Sequence, residues 1–339
     1  ELRTFRPGTI NENGVIDPKG DDVIIEYYDF EGMPVTYARK DHRKKETGER
    51  KEYFRVRWQF PDAHLDKEGK PYKYKSPSGS GTPIYIPEKL RRLYKEKQQI
   101  HRLYIQEGEK KAEKACKHGI PSIAVSGIQN LGLNGALPED LVRIITTCGV
   151  KEVAFIFDSD WDDISTNVRL NDRVEKRPSC FFFAARNFKE YMRTLKNRNI
   201  YVEIFIGHIQ KNPAGDKGVD DLLANSLREH EDELAQDIDY ACNEKKGLGK
   251  YIEMFKITTW TDIVGNLTIP VNLSSHSLLM MTKNFGKKLK KKIDPDNLAS
   301  NTSSAMSTHI TSYKIGGLDA SECWISPTVL SNWILRWLE

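Results

Sequence analysis

The sequence predicts an α/β protein: a parallel sheet flanked by helices, preceded by a β-rich basic region and followed by a mixed α+β extension. Three observations lead there. From His101 onward short apolar runs alternate with helical segments at the spacing of β-α-β units. One run, EVAFIFD from Glu152 to Asp158, is continuously apolar between its two end residues, as expected of a strand buried on both faces. Before His101 the chain carries short β-branched and aromatic stretches separated by Gly, Pro and Asp clusters.

In order along the chain, DVIIEYYDF and EYFRVRWQF read as strands. In the second, Phe54, Val56, Trp58 and Phe60 alternate with Arg55, Arg57 and Gln59, which predicts an apolar face and a basic face. KYKSPSGSGTP, from Lys73 to Pro83, is turn-rich, and PEKLRRLYKEKQQ from Pro87 predicts a helix with proline in its first turn. Next come the strand RLYIQ, the helix EGEKKAEKACKHG with a glycine stop, the strand SIAVSG and the helix PEDLVRIITTCG. After EVAFIFD follow the helix CFFFAARNFKEYMRTLKNRN, the strand IYVEIFI and the helix VDDLLANSLREHEDELAQDI. Beyond Tyr240 the pattern weakens to a strand at FKITTWTDI, a polar loop at NLASNTSSAMSTHITS and a closing amphipathic helix, SPTVLSNWILRWL.

The 339 residues carry a net charge of only +4, but the charge is unevenly spread. Pro34 to Lys97 holds 18 Lys/Arg against 9 Asp/Glu, and MTKNFGKKLKKKI, from Met281 to Ile293, holds six lysines and no acid. Such local excess suits a polyanionic partner, since phosphate neutralisation supplies affinity. No apolar run approaches the ~20 residues of a membrane span, and no secretory signal pattern opens the chain. The five cysteines are scattered without a C-x-x-C pair, which argues against a zinc ribbon or disulfide framework and predicts a cytoplasmic protein. No G-x-x-x-x-G-K-[ST] motif is present, so no P-loop motor is expected.

The stretch FIFDSDWDD places Asp158, Asp160, Asp162 and Asp163 close behind an apolar strand, where like charges repel. In open parallel sheets the active crevice lies at the carboxyl ends of the strands. Glu107 closes another strand, and GDKGVDD supplies Asp216, Asp220 and Asp221 after a third. Carboxylates without Cys or His are hard oxygen ligands that suit Mg²⁺ or Mn²⁺, and Mg²⁺ commonly bridges one or two carboxylates to substrate phosphates. The plain alternative is a solvated acidic turn.

Read in order, IQEGEKKAEKA, GIPSIAVSGIQNL, VAFIFDSD and DKGVDDLLA resemble a TOPRIM domain, the module of bacterial-type primases, topoisomerases and several nucleases. The wording is similar to a TOPRIM-like domain found in phage- and plasmid-type replication proteins, over about Tyr72 to Ala224. Composition and pattern divide the chain into a β-rich basic domain at 1–99, a central region at 100–226 and a helical or mixed region at 227–339, and the resemblance makes the central one a TOPRIM-like catalytic domain. It implies Glu107 as general acid/base or metal ligand, Asp158 and Asp160 as the metal pair, and Asp220 or Asp221 as the outer acid. Lys110, Lys111, Gly127 and Lys217 would face nucleotide phosphates. Arg55, Arg57, Lys73 and Lys75 are expected to hold nucleic acid.

One departure is the stretch WDDISTNVRLNDRVEKRPS, about twenty residues long and highly charged, longer than a minimal turn of this family. The expected function is a primase of a phage- or plasmid-like mobile element, with Mg²⁺ or Mn²⁺, single-stranded DNA, nucleoside triphosphates and a replicative helicase as partners. A metal-dependent nuclease and a non-catalytic nucleic-acid-binding module are the alternatives.

Overall fold

The computed structural model describes residues 4–11, 14–40, 46–67, 69, 71–132, 136–160, 177–243 and 247–258, with two short strands beyond them. Asp162, Asp163, the charged stretch that follows them, the lysine run at 287–292 and the closing amphipathic segment lie outside the described residues. The chain forms two compact units, residues 1–130 with 138–151, and residues 131–137 with 152–339.

In the first unit, β1 (Phe5–Pro7), β2 (Thr9–Ile10), β3 (Ile16–Asp17), β4 (Val23–Glu26), β5 (Thr36–Lys40), β6 (Glu46–Glu52), β7 (Phe54–Arg57) and β8 (Tyr74–Lys75) are antiparallel elements. β1, β4, β7 and β8 make a four-stranded sheet in the order β1-β4-β7-β8, while β2/β3 and β5/β6 are separate ribbons. Alternation holds on one face as far as Trp58: Ile24, Val56 and Trp58 are buried together, with Phe54 against them, whereas Phe60, expected on that face, lies past the strand's end and is exposed.

The other face is also covered. Ile25, Tyr27 and Tyr53 pack with Tyr85, with Ala112 of α2 (Glu109–Lys117) and with Ala124 of β10 (Ser122–Val125). The expected boundary near residue 99 therefore does not separate two cores, because the N-terminal sheet and the first β-α-β turn share one. β9 (Arg102–Glu107) and β10 are parallel, with Glu107 opposite Val125. Tyr85 extends this pair by a two-way backbone bridge to Ala124 (2.8 and 2.9 Å).

Helix ends follow local chemistry. α1 (Glu88–Lys95) starts after Pro87, and α3 (Glu139–Thr147) starts after Pro138. α2 and α3 stop at Gly119 (φ +78°) and Gly149 (φ +61°). There the next amide returns to a carbonyl five residues back, Ile120 to Ala115 and Val150 to Ile145, both at 3.0 Å.

In the second unit, β11 (Glu152–Phe157) runs parallel to β12 (Glu203–Ile209), and β13 (Ile252–Lys256) pairs antiparallel with β12. α4 (Arg177–Arg193) and the 3-10 turn Thr194–Arg198 connect β11 to β12, with Phe188 edge-on to Phe155 at 5.7 Å. The segment expected as one helix after β12 is two, α5 (Val219–Ala224) and α6 (Glu233–Asn243). Asn225, Ser226 and Leu227 leave the helical path because Asn225 and Ser226 spend their side chains on Asp216. The last strand pair, β14 (Lys314–Ile315) and β15 (Leu318–Asp319), is a short antiparallel ribbon.

Candidate functional site

Asp158 and Asp160 leave the carboxyl end of β11 as a turn that is clipped in place from the following β-α connection. The Ser159 amide donates to the Lys217 carbonyl (2.8 Å), and Ser159 Oγ donates to the Asp216 carbonyl (3.0 Å). Ser159 is buried, with a half-buried aspartate on each side of it. Lys217 Nζ lies 3.5 Å from Asp160 Oδ2; the lysine side chain is 61% exposed and the carboxylate 13%. An exposed ammonium beside a mostly covered carboxylate marks where positive charge is accommodated.

Asp216 has a different job. Its carboxylate accepts from Asn225 Nδ2 (2.7 Å), Asn212 Nδ2 (3.1 Å) and Ser226 Oγ, and its amide donates to Asn212 Oδ1 (3.1 Å). Burial pushes this carboxyl up, but the donors from Ser226, Asn225 and Asn212 outweigh it and hold it below its ordinary value of 3.8. With its lone pairs engaged, Asp216 is an anchor for the turn that receives Ser159. Asp220 and Asp221 stand in the first turn of α5, where Asp221 Oδ2 accepts from the Lys217 amide (3.3 Å). Asp160, Lys217 and Asp221 are thus linked within one unit.

Glu107 ends β9 in the first unit and is half-buried. Gly108 follows at φ +102° and donates its amide to the Val125 carbonyl (2.9 Å), turning the chain into α2. That backbone conformation is open almost exclusively to glycine. Lys110, exposed, and Lys111, half-buried, occupy the first turn of α2. Gly127 opens a tight turn after β10, closed by the Asn130 amide on the Gly127 carbonyl (2.9 Å) and by Asn130 Nδ2 on Ser126 Oγ (3.1 Å).

Arg55, expected at a phosphate, is buried instead. Its Nη1 donates to Glu109 Oε1, which also accepts from Tyr27 Oη, and its guanidinium lies 4.6 Å from the Tyr74 ring centre. Arg55 does lie on the face opposite Val56 and Trp58, but α2 covers that face. Arg57 is half-buried, while Lys73 and Lys75 are exposed at β8, the sheet edge. Trp58 is also closed off, stacked on His64 at 3.7 Å. Glu109 carries no sequence signal, since its partner Tyr27 lies 82 residues away. Asp216 stands out in sequence as one of several acids, but its anchoring role shows only in its bonds to Asn212, Asn225 and Ser226 and in its carbonyl's hold on Ser159.

Among the described residues, no three His, Cys, Asp or Glu side chains gather closely enough to hold a metal by themselves. The donor set still fits a hard cation. It consists of carboxylate oxygens, and an ammonium already stands beside Asp160. Cys116, Cys148 and Cys242 are free thiols, and burial pushes Cys116 up to about 12, away from metal or nucleophile chemistry.

Fold and site define a mixed α/β protein whose parallel strands, flanked by helices, run into carboxylates. No family model matches the chain, and no curated protein matches it. Among solved structures it is similar to the catalytic domain of DnaG primase bound to single-stranded DNA, at 13% identity and TM-score 0.39, covering 98% of this chain and 74% of that one. It is also similar to a DnaG catalytic core, at 13% identity and TM-score 0.38, covering 97% and 73%. A third is the Aquifex aeolicus primase, zinc-binding and RNA polymerase domains, at 13% identity and TM-score 0.37, covering 89% and 55%. These proteins are primases. At TM-scores below 0.5 the overlaps leave the chemistry to the chain's own residues. Among the described residues no helix is long and apolar enough to cross a membrane.

Proposed function

We propose that the chain is a TOPRIM-type primase, or the catalytic part of one, that joins nucleotides on single-stranded DNA. The observation that carries this reading is the turn Asp158-Ser159-Asp160, locked through Ser159 onto residues 216 and 217 with an exposed cation on Asp160. A pair of carboxylates on a hydrogen-bonded turn, beside an exposed ammonium, suits phosphoryl transfer, which needs positioning and charge neutralisation more than covalent chemistry.

Asp158 and Asp160 would hold Mg²⁺ or Mn²⁺, with Asp220 or Asp221 as an outer acid. The bound ion would neutralise the triphosphate. Two carboxylates suffice when phosphates and water complete the shell. Lys217, released from Asp160, would reach a phosphate oxygen; nucleotide contact by Lys110, Lys111 and Gly127 is what the TOPRIM resemblance implies for them. On the TOPRIM resemblance, Glu107 would take the proton of the attacking hydroxyl as its oxygen bonds the α-phosphorus and the bond to the leaving pyrophosphate breaks. Arg57, Lys73 and Lys75 hold the template by its phosphates, while Arg55 serves the fold. A replicative helicase partner and a phage or plasmid setting belong to the same proposal.

The deciding experiment incubates the protein with single-stranded DNA, labelled nucleoside triphosphates and Mg²⁺ or Mn²⁺, with labelled DNA in a parallel lane. New oligonucleotides are expected, reduced about a hundredfold or more by Asp160→Ala. Shortened DNA that is lost in the same variant would mean a nuclease. Retarded but unaltered DNA would mean a binding module and overturn the catalytic reading.

A further inference from the structure

At the opposite end of β12 from Asp216, the second unit contains a cavity of about 380 Å³. Its floor is apolar: Met192, Val202, Ile204 and Ile257. Its rim is cationic, with Lys189, Arg193, Lys196 and Lys256 against a single lining acid, Glu203. The arrangement follows from the elements. Lys189, Met192, Arg193 and Lys196 recur at helical spacing along the end of α4 and the 3-10 turn that continues it. β12 begins and β13 ends at the same edge, which brings Glu203 and Lys256 together at 2.5 Å.

Cations at a helix end favour the helix dipole, but that role asks for no cavity and no apolar floor. Glu203 is taken by Lys256, and Glu190, outside the cavity, is shared between Lys189 (3.9 Å) and Arg193 (3.5 Å). The rim therefore keeps an excess of positive charge over a hydrophobic base. The volume falls at the small end of pockets that enclose compact organic ligands.

We propose that this cavity binds a nucleoside phosphate, with the phosphate on Arg193, Lys196 and Lys189 and the base or sugar against Met192, Val202, Ile204 and Ile257. The site is separate from the carboxylate turn and needs no metal. A polymer backbone would need a groove extending past the site, whereas a single nucleotide matches the size.

The test is calorimetric titration of the full chain with ADP in EDTA, which silences any metal-dependent site. Binding is expected, weakened about tenfold or more in an Arg193→Ala, Lys196→Ala double variant. It is expected to be unchanged in Asp160→Ala, so failure here is distinct from failure of the primase reading. Both substituted side chains are exposed, and circular dichroism checks that the double variant folds. Pyrophosphate displacing ADP with equal potency would overturn the role of the apolar floor. No binding in EDTA, or binding insensitive to the double variant, would overturn the site, as would displacement of ADP only by single-stranded DNA.

Discussion

Two buried carboxylates carry structural duties that decide what their neighbours can do. Asp216 holds three side-chain donors and, through its own and the next residue's carbonyls, the Ser159 turn. Replacing it by alanine should destabilise the protein by about 2–4 kcal/mol in urea unfolding, because Asn212, Asn225 and Ser226 each lose an acceptor. Since its folded value is depressed below 3.8, its contribution is present above that pH and lost as pH falls through the folded value. The wild-type protein should lose stability there, and the Asp216→Ala variant should show a shallower acid slope.

Glu109 is the second such group. Glu109→Gln leaves Arg55 buried without its counter-charge and should cost about 3–5 kcal/mol. Adding Arg55→Met should recover part of that loss, since it removes the buried charge that Glu109→Gln leaves unpaired.

Elements turn those residues into surfaces. β8 is the edge of the four-stranded sheet, and its exposed Lys75, with neighbouring Lys73, presents charge where a further strand cannot easily add. On the proposed function, the same lysines meet template phosphates. Lys73→Ala with Lys75→Ala should weaken single-stranded DNA binding and lower the salt-dependence slope by about 1.4, the share of two phosphates. An unchanged slope would leave these lysines only their role in protecting the edge. Arg55→Ala would not test template binding, because its side chain lies under α2 and its loss acts on folding.

At the scale of the whole molecule, the two compact units do not follow a single cut in the chain. The first unit takes α3 from beyond residue 130. There Leu141, Val142, Ile144 and Ile145 are buried, Arg143 pairs with Glu31, and the Ile100 amide donates to the Cys148 carbonyl (3.0 Å). A fragment of residues 1–151 should therefore unfold cooperatively in urea, whereas 1–130 should not, having lost a helix from its core. Equal behaviour of the two fragments would show α3 to be dispensable to that unit.

Periodicity and punctuation alone were enough to place the strands from β9 to β12, the proline starts of α1 and α3 and the glycine stops of α2 and α3. Those features depend on side-chain alternation and backbone φ within a few residues. The order of the acidic strand ends, Glu107 and then Asp158 and Asp160, was legible for the same reason. Only the tertiary structure decided that Arg55 lies inside, that Asp216 anchors the site and that one expected helix breaks at Asn225. It also showed that the N-terminal sheet shares its core with α2 and β10. Each of these depends on a partner contributed by another element, and alternation reports which face a side chain takes without reporting what covers that face.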